Sequence, residues 1–371
     1  MKTIFVPKEI NKDETRVAIS PSTVKPLVNL GYKILIEKSA GILSYFDDSQ
    51  YTNEGAELVD NTTIGYKQAD LILKVNPPSK DEIQFINENS SLISFFNNDQ
   101  DIIDELKKKN IYCFAMESIP RITRAQSHDA LSSQSNLAGY KAVLMAANEC
   151  PKIFPMLMTA AGTIRPARVV ILGAGVAGLQ AIATAKRLGA VVEVSDIRPA
   201  VKEQVLSLGA SFIEVPGLEN FETTGGYAKE PTKEFLEQQA EEIAKSIARA
   251  NAVITSALVY GKKAPILIKE EVVKRMNPGS VIVDMAAEQG GNCELTVPGE
   301  TIDYNGVKII GALNIAGKLP TNSSELFARN ILNVVKDCIS LENGLSWKMS
   351  DEIVQSALIA TPSENLIQQA V

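Results

Sequence analysis

The sequence has few of the features that mark secreted, membrane-spanning or nucleic-acid-binding chains. Its four cysteines, Cys113, Cys150, Cys293 and Cys338, are far apart, with no CxxC pair and no metal-ligand spacing. That pattern reads as reduced, mostly buried thiols of an intracellular protein. No apolar run is long enough to span a bilayer. The nearest candidate, Val169–Ala185, carries no charge, but it is only 17 residues long and is broken by three glycines. A spanning helix needs ~20 apolar residues, and a strand, glycine loop and helix explain the run better. Met1 to Pro7 contains no long apolar core of a secretory signal, so a cytosolic protein is expected. Positive charge is not in excess either. With a net charge of −7, nothing would neutralise a phosphate backbone, and nucleic acid is not an expected partner. No short-period repeat or low-complexity tract interrupts the chain.

What is there suits a soluble globular protein of two domains: 371 residues, 45% hydrophobic and 22% charged. Short apolar runs at Thr3–Val6, Lys33–Glu37, Asp70–Lys74, Ser91–Phe96 and Tyr112–Met116 alternate with amphipathic segments. One of these segments opens at Ser20-Pro21, an N-cap followed by proline at the first helical position. Another, Asp101–Lys109, starts acidic and ends in lysines, matching the helix dipole. After a long helical segment, Gln134–Asn148, a second series has strands at Arg168–Leu172, Val191–Ser195, Ala210–Ile213, Ala252–Thr255 and Ser280–Met285. Its helices are expected near Gly175–Leu188, Ala200–Leu208, Pro231–Ala248 and Glu270–Met276, and a last long helix over Ser323–Ser340. Alternation of this kind implies parallel βαβ units. The expected fold is α/β, with two Rossmann-like doubly wound parallel-sheet domains and a cofactor cleft between them. The first would comprise residues 1–127 plus 322–371, and the second, inserted, residues 128–321. Phe154–Arg165, small and apolar, is expected to form a projecting hairpin that helps make a dimer.

The chemistry starts at Gly173-Ala174-Gly175-Val176-Ala177-Gly178. A GxGxxG is a weak signal alone, but here the apolar strand Val169–Leu172 leads into it and a helix follows. Gly173 permits the tight turn, Gly175 lets backbone approach a pyrophosphate, and Gly178 lets helix and strand pack closely. The anion would sit at the helix N-terminus, where free N–H groups favour negative charge. Asp196 ends the next strand, 18 residues beyond Gly178. With Ile197 and Arg198 it would hold the adenosine ribose. Its carboxylate can accept both ribose hydroxyls of NAD and would repel the 2′-phosphate of NADP, although Arg198 could accommodate such a phosphate. NAD(H) is the expected cofactor.

Five motifs point to a family. The chain reads Pro120-Arg-Ile-Thr-Arg-Ala-Gln-Ser-His-Asp-Ala-Leu-Ser-Ser-Gln-Ser-Asn-Leu-Ala-Gly-Tyr140, preceded by Arg16-Val-Ala-Ile-Ser-Pro21. It continues with Thr159-Ala-Ala-Gly-Thr163, Thr224-Gly-Gly-Tyr-Ala-Lys-Glu230 and Asp284-Met-Ala-Ala-Glu-Gln-Gly-Gly-Asn292. Over essentially its whole length the chain resembles the NAD(H)-binding component, domain I, of proton-translocating nicotinamide nucleotide transhydrogenases. The resemblance implies direct hydride transfer between NADH here and NADP+ on a partner subunit, coupled to proton movement by membrane-spanning subunits. It implies that Arg121, Gln126, Asp129 and Ser132 surround the nicotinamide end, with Gln126 and Ser132 also touching the cofactor. Gly226 and Tyr227 fall in what the family uses as a mobile loop. The chain is similar to the split-subunit form, a homodimer that works with an NADP(H)-binding beta subunit and is peripheral on the cytoplasmic face of the inner membrane, not inserted in it.

The residues themselves agree in kind. Arg121, Gln126 and Ser132 can donate hydrogen bonds, and Gln126 and Ser132 also accept, so a carboxamide could be matched on both sides. Asp129 is the natural partner for Arg121. No obvious acid or base is present, which suits hydride exchange between two nicotinamides, where no proton moves at the ring. A polar loop with capping roles is the bland alternative.

Alanine dehydrogenase is the main rival, since it shares the architecture and motifs that include Arg16 and Lys74. It needs a histidine after the strand Ser91–Phe96, where this chain has Asn97-Asn98, and asparagine cannot move that proton. The chain's one histidine, His128, lies in the Arg121–Ser132 segment and reads as a polar contact. Glu288 stands where the dehydrogenases place a functional carboxylate. With Arg16 and Lys74 it is expected to be structural, in an ion pair between domains. A non-catalytic NAD sensor would lack the polar set from Arg121 to Ser132.

Overall fold

The computed structural model describes residues 1–214, 233–258, 263–342 and 344–361, with 233–237 described in backbone only. The chain divides into two compact units, Met1–Gln134 with Ala316–Val371, and Ser135–Ile315. Each is built on one seven-stranded sheet, and both sheets are parallel except at an edge.

In the first unit the sheet order is Leu358–Ala360, Tyr112–Ala115, Ser91–Ser94, Leu71–Leu73, Lys2–Val6, Tyr32–Glu37, Glu57–Val59. The central strands are apolar on both faces because helices cover both sides. Ile4, Val6, Ile34 and Ile36 face one core with Leu27, Phe327 and Ile331. Phe5, Leu35 and Ile72 face another with Tyr66 and Leu106. Leu358–Ala360 pairs antiparallel with Tyr112–Ala115.

In the second unit the order is Ser211–Phe212, Val191–Ser195, Arg168–Leu172, Ala252–Thr255, Val281–Asp284, Val307–Gly311, Thr301–Tyr304. Of these strands Arg168–Leu172 comes first in the chain, yet it lies third in the sheet. The next strand pairs on one side of it and Ala252–Thr255 on the other. The strand order reverses there, and ligands of open α/β sheets bind at the carboxyl ends of the strands at such a point. The edge strand Thr301–Tyr304 runs antiparallel to Val307–Gly311. The turn between them is Asn305-Gly306, with φ of +54° and +81°, the two left-handed residues a tight hairpin requires.

Phe154–Arg165 contains a two-stranded hairpin, Leu157–Thr159 with Gly162–Ile164. Met156, Leu157, Met158 and Ile164 are exposed on it. No described helix is long and apolar enough to cross a membrane. The four cysteines are buried and free. Burial pushes the thiols of Cys113 and Cys338 up to about 12 and that of Cys293 to about 11, so they are inert at neutral pH.

Candidate functional site

The three glycines of the loop do three different things. Gly173 has φ +100°, and a Cβ on it would lie 2.9 Å from Ser256 Oγ, so the turn into the loop requires glycine. Gly178 opens the first turn of the helix Val176–Arg187 against the strand. A Cβ there would stand 1.9 Å from the Gly173 carbonyl oxygen. Gly175 is different: a Cβ on it would meet nothing within 4 Å. The loop is open at Gly175 and closed at the other two.

Gly175 is also the N-cap of that helix, and no side chain caps it. The first intrahelical bond is Leu179 N–H to the Gly175 carbonyl at 2.8 Å. The N-terminus therefore presents unoccupied N–H groups and the positive end of the helix dipole to an anion. Ala174 is buried and Val176 exposed on either side of Gly175.

Asp196 directly follows the neighbouring strand Val191–Ser195, with Oδ2 accepting the Ala174 N–H at 2.7 Å and Oδ1 the Arg198 N–H at 2.8 Å. The Arg198 guanidinium closes on both oxygens, Nε at 3.0 Å and Nη2 at 3.1 Å. Burial works to raise the Asp196 carboxyl, but Arg198 and the two backbone donors outweigh it and hold it below the ordinary range. The arginine that could take a 2′-phosphate is thus committed to the carboxylate beside it. Between them Ile197 is 88% exposed, an apolar surface at the mouth of the site.

Four further residues brace this site without having been expected in it. Ser256 Oγ donates to the Gly173 carbonyl at 3.1 Å. The Asn292 side chain is bonded to both the N–H and the carbonyl of Ala257. Asp284, fully buried, accepts from Thr255 Oγ1, Thr296 Oγ1 and the backbone N–H groups of Ala286, Asn292 and Cys293. These bonds fix the carboxyl ends of two strands beside the loop. Gly139, within the helix Ala130–Glu149, would place a Cβ 2.1 Å from the Ala177 carbonyl oxygen. A glycine inside a helix costs ~1 kcal/mol relative to alanine, and that cost was the available sign of a close approach.

The first unit holds Arg121, Gln126, Asp129 and Ser132. Arg121 and Gln126 are exposed, and neither side chain is hydrogen-bonded or ion-paired among the described residues. Asp129 does not pair with Arg121 as expected. It caps the helix Ala130–Glu149 instead, Oδ1 accepting the Ser132 N–H at 2.9 Å and Oδ2 the Ser132 hydroxyl at 2.5 Å. A carboxylate at N-cap reaches the third N–H of its own helix without recruiting a distant side chain, so the local bond prevails.

The expected ion pairing of Arg16, Lys74 and Glu288 also differs. Arg16 is forked by Glu14, both contacts at 2.7 Å, and also donates to Gln134 Oε1. Lys74, fully buried, lies 2.9 Å from Glu82 and 3.8 Å from Glu9. Burial would lower its pKa, but the two carboxylates outweigh that and raise it. Glu288 accepts the Asn314 N–H at 2.7 Å. The ionic partners of Arg16 and Lys74 lie within their own unit. Asn97 and Asn98 have φ of +52° and +58°, a conformation asparagine tolerates better than most residues. The Asn97 N–H and that of Phe96 bind Glu117 Oε1. Gly226 and Tyr227 lie outside the described residues.

Residues 5–138 match the family model "Alanine dehydrogenase/PNT, N-terminal domain" and residues 142–367 the model "Alanine dehydrogenase/PNT, C-terminal domain". The chain is 46% identical over 366 residues to the first portion of the NAD(P) transhydrogenase alpha subunit of Rhodospirillum rubrum, covering 96% of this chain and 95% of that one. A crystal structure of transhydrogenase from Sinorhizobium meliloti superposes with a TM-score of 0.88 at 42% identity, over 97% of this chain and 99% of that one. An alanine dehydrogenase of Methanococcus maripaludis is more distant, 31% identical over 99% of this chain and all of its own.

Proposed function

The chain belongs to the alanine dehydrogenase/PNT family, and from that premise we propose that it is the NAD(H)-binding subunit of a proton-translocating NAD(P) transhydrogenase. NAD(H) lies with its pyrophosphate at Gly175 and the uncapped helix, its adenosine ribose on Asp196 and its adenine against Ile197. The residues present fit the group: the one glycine of the three with open space around it is also the uncapped N-cap of the helix. The Asp196–Arg198 fork favours NAD(H) over NADP(H), because the carboxylate repels a 2′-phosphate and occupies the cation that would neutralise it.

Arg121, Gln126 and Ser132 serve the nicotinamide end, with Asp129 setting the Ser132 hydroxyl. When bound, the nicotinamide supplies a hydride that passes to NADP+ on a partner subunit, leaving NAD+ and NADPH with no proton gained or lost at either ring. These side chains orient the carboxamide and keep the transfer geometry. The observation that supports this reading over a dehydrogenase is Asp129: both oxygens of the one carboxylate of the set are bonded to Ser132, as a helix cap. That leaves positioning, not proton transfer, as the work of the segment.

We also propose that two copies associate through the exposed apolar hairpin Leu157–Ile164, that Gly226 and Tyr227 close over the nucleotide, and that membrane-spanning partners hold the dimer on the cytoplasmic face. Mixing the purified chain with an NADP(H)-binding transhydrogenase component tests the central claim. Nucleotide-to-nucleotide transfer that needs both proteins is expected. Its absence, with both nucleotides bound, would overturn the assignment.

A further inference from the structure

The segment proposed to serve the nicotinamide end is held from behind by one polar stripe. The helix Pro320–Cys338 packs mainly through apolar residues such as Phe327, Ile331, Val334 and Val335. Asn330, Asn333 and Asp337 break that pattern at a spacing of three and four, which puts them on one helix face. All three meet the same few residues. The Asn330 and Asn333 Nδ2 groups both donate to the Ser127 carbonyl at 2.9 Å. Asn330 Oδ1 accepts the Ser133 hydroxyl at 2.7 Å. His128 is buried, 1% exposed, with Nδ1 3.2 Å from Ser127 Oγ and Nε2 3.1 Å from Asp337 Oδ2. The second contact is close in distance but not aligned as a hydrogen bond.

We propose that Asn330 and Asn333 are positioning residues that clamp the Gln126–Ser132 segment for hydride transfer, with the buried His128 ring packed against the same helix. The inference rests on the reading of that segment as the nicotinamide end. Gln126 is joined to the doubly anchored Ser127 carbonyl through one residue, so the anchor fixes where its side chain begins. The Ser133 hydroxyl, bonded to Asn330, ties the first turn of the following helix to the same face, so the segment is held at both ends. On the segment itself Arg124 is forked to Asp351 and Asp129 is bonded to Ser132. From the following strand region Lys348 donates to the Asp337 backbone carbonyl.

In the reconstituted complex Asn333→Leu should slow transfer by about tenfold with the KM for NADH unchanged, as expected when geometry is lost and binding is not. If NADH binds but transfer in Asn333→Leu keeps the parent rate, or falls only in step with NADH affinity, the clamp is overturned and the NAD(H) reading stands. If NADH does not bind, both fall.

Discussion

Gly175 and Gly178 make the same substitution into two opposite experiments. In Gly178→Ala the new Cβ would lie 1.9 Å from the Gly173 oxygen, and real Cβ contacts essentially never fall under 3.0 Å, so the two backbones must separate by at least 3.0 − 1.9 = 1.1 Å. Neither is free to do so. The Gly173 N–H donates to the Ser195 carbonyl at 2.8 Å, and its own carbonyl accepts from Ser256. Forcing a methyl into packed structure costs ~1–3 kcal/mol, and backbone against backbone belongs at the upper end. For a unit of this size that lowers Tm by about 4–10 °C. NADH affinity should fall with it, because the loop that receives the pyrophosphate has moved.

Gly175→Ala meets nothing in the protein, and its φ of −76° suits alanine. Stability should stay within about 0.5 kcal/mol, as for a surface substitution. The methyl nevertheless stands where the pyrophosphate must approach, and NADH affinity should drop by at least roughly tenfold, the cost of ~1.4 kcal/mol in lost contact. Fluorescence titration with NADH and thermal unfolding of both variants separate the cases. A Gly175→Ala protein that binds NADH like the parent would refute the placement of the pyrophosphate. A Gly178→Ala protein with unchanged Tm would refute the contact.

Asp196→Ala should weaken NADH and narrow its advantage over NADPH; equal affinities for both nucleotides in the parent would count against the ribose contact. Because its carboxyl is held below the ordinary range in the folded protein, Asp196 stays ionised at neutral and mildly acidic pH, and NADH affinity measured by titration should begin to lose this contribution only as pH falls through that depressed value. Gln126→Asn, one methylene shorter, should leave NADH affinity within a few-fold and slow transfer to a partner-bound NADP+ analogue by ~10²-fold in stopped flow; equal loss of both would show it is not the orienting residue. Lys74→Met should destabilise the first unit by about 3–5 kcal/mol, since Glu9 and Glu82 lose their buried counter-charge, as read by the denaturant midpoint. The chain alone should not oxidise NADH with pyruvate and ammonia, and steady turnover above a blank would move it to the alanine dehydrogenases.

The parts of the molecule legible in the sequence are those whose signals are local. The strands expected at Arg168–Leu172 and Ser280–Met285 rest on the apolar runs Val169–Leu172 and Val281–Val283, and both runs are buried in the sheet. Asp196 read as standing beside the glycine loop because the strand ends there, and it accepts the Ala174 N–H. Other local signals went unused. Asn305-Gly306 marks the hairpin that adds Thr301–Tyr304 and Val307–Gly311 to the sheet. Glu57–Val59 and Leu358–Ala360 gave no comparable sign. Each is three residues long and at a sheet edge, where half the ladder is missing and the apolar pattern is weak.

What stayed hidden in the site is of another kind. Gly139 against Ala177, Ser256 on Gly173 and Asn330 on Ser127 all join residues distant in sequence, and nothing local to either partner specifies the other. Asp129 is the opposite case, misread because a distant partner was preferred to a near one. Beside Arg121 in function it looks like a counter-ion; three residues before Ser132 it is a cap. The cap closes no long loop and orders few torsions, whereas an exposed arginine must surrender its side-chain freedom to reach a carboxylate. The local bond therefore wins, and among the described residues it leaves the Arg121 guanidinium without a partner, which is the state a residue needs if it is to meet a nucleotide.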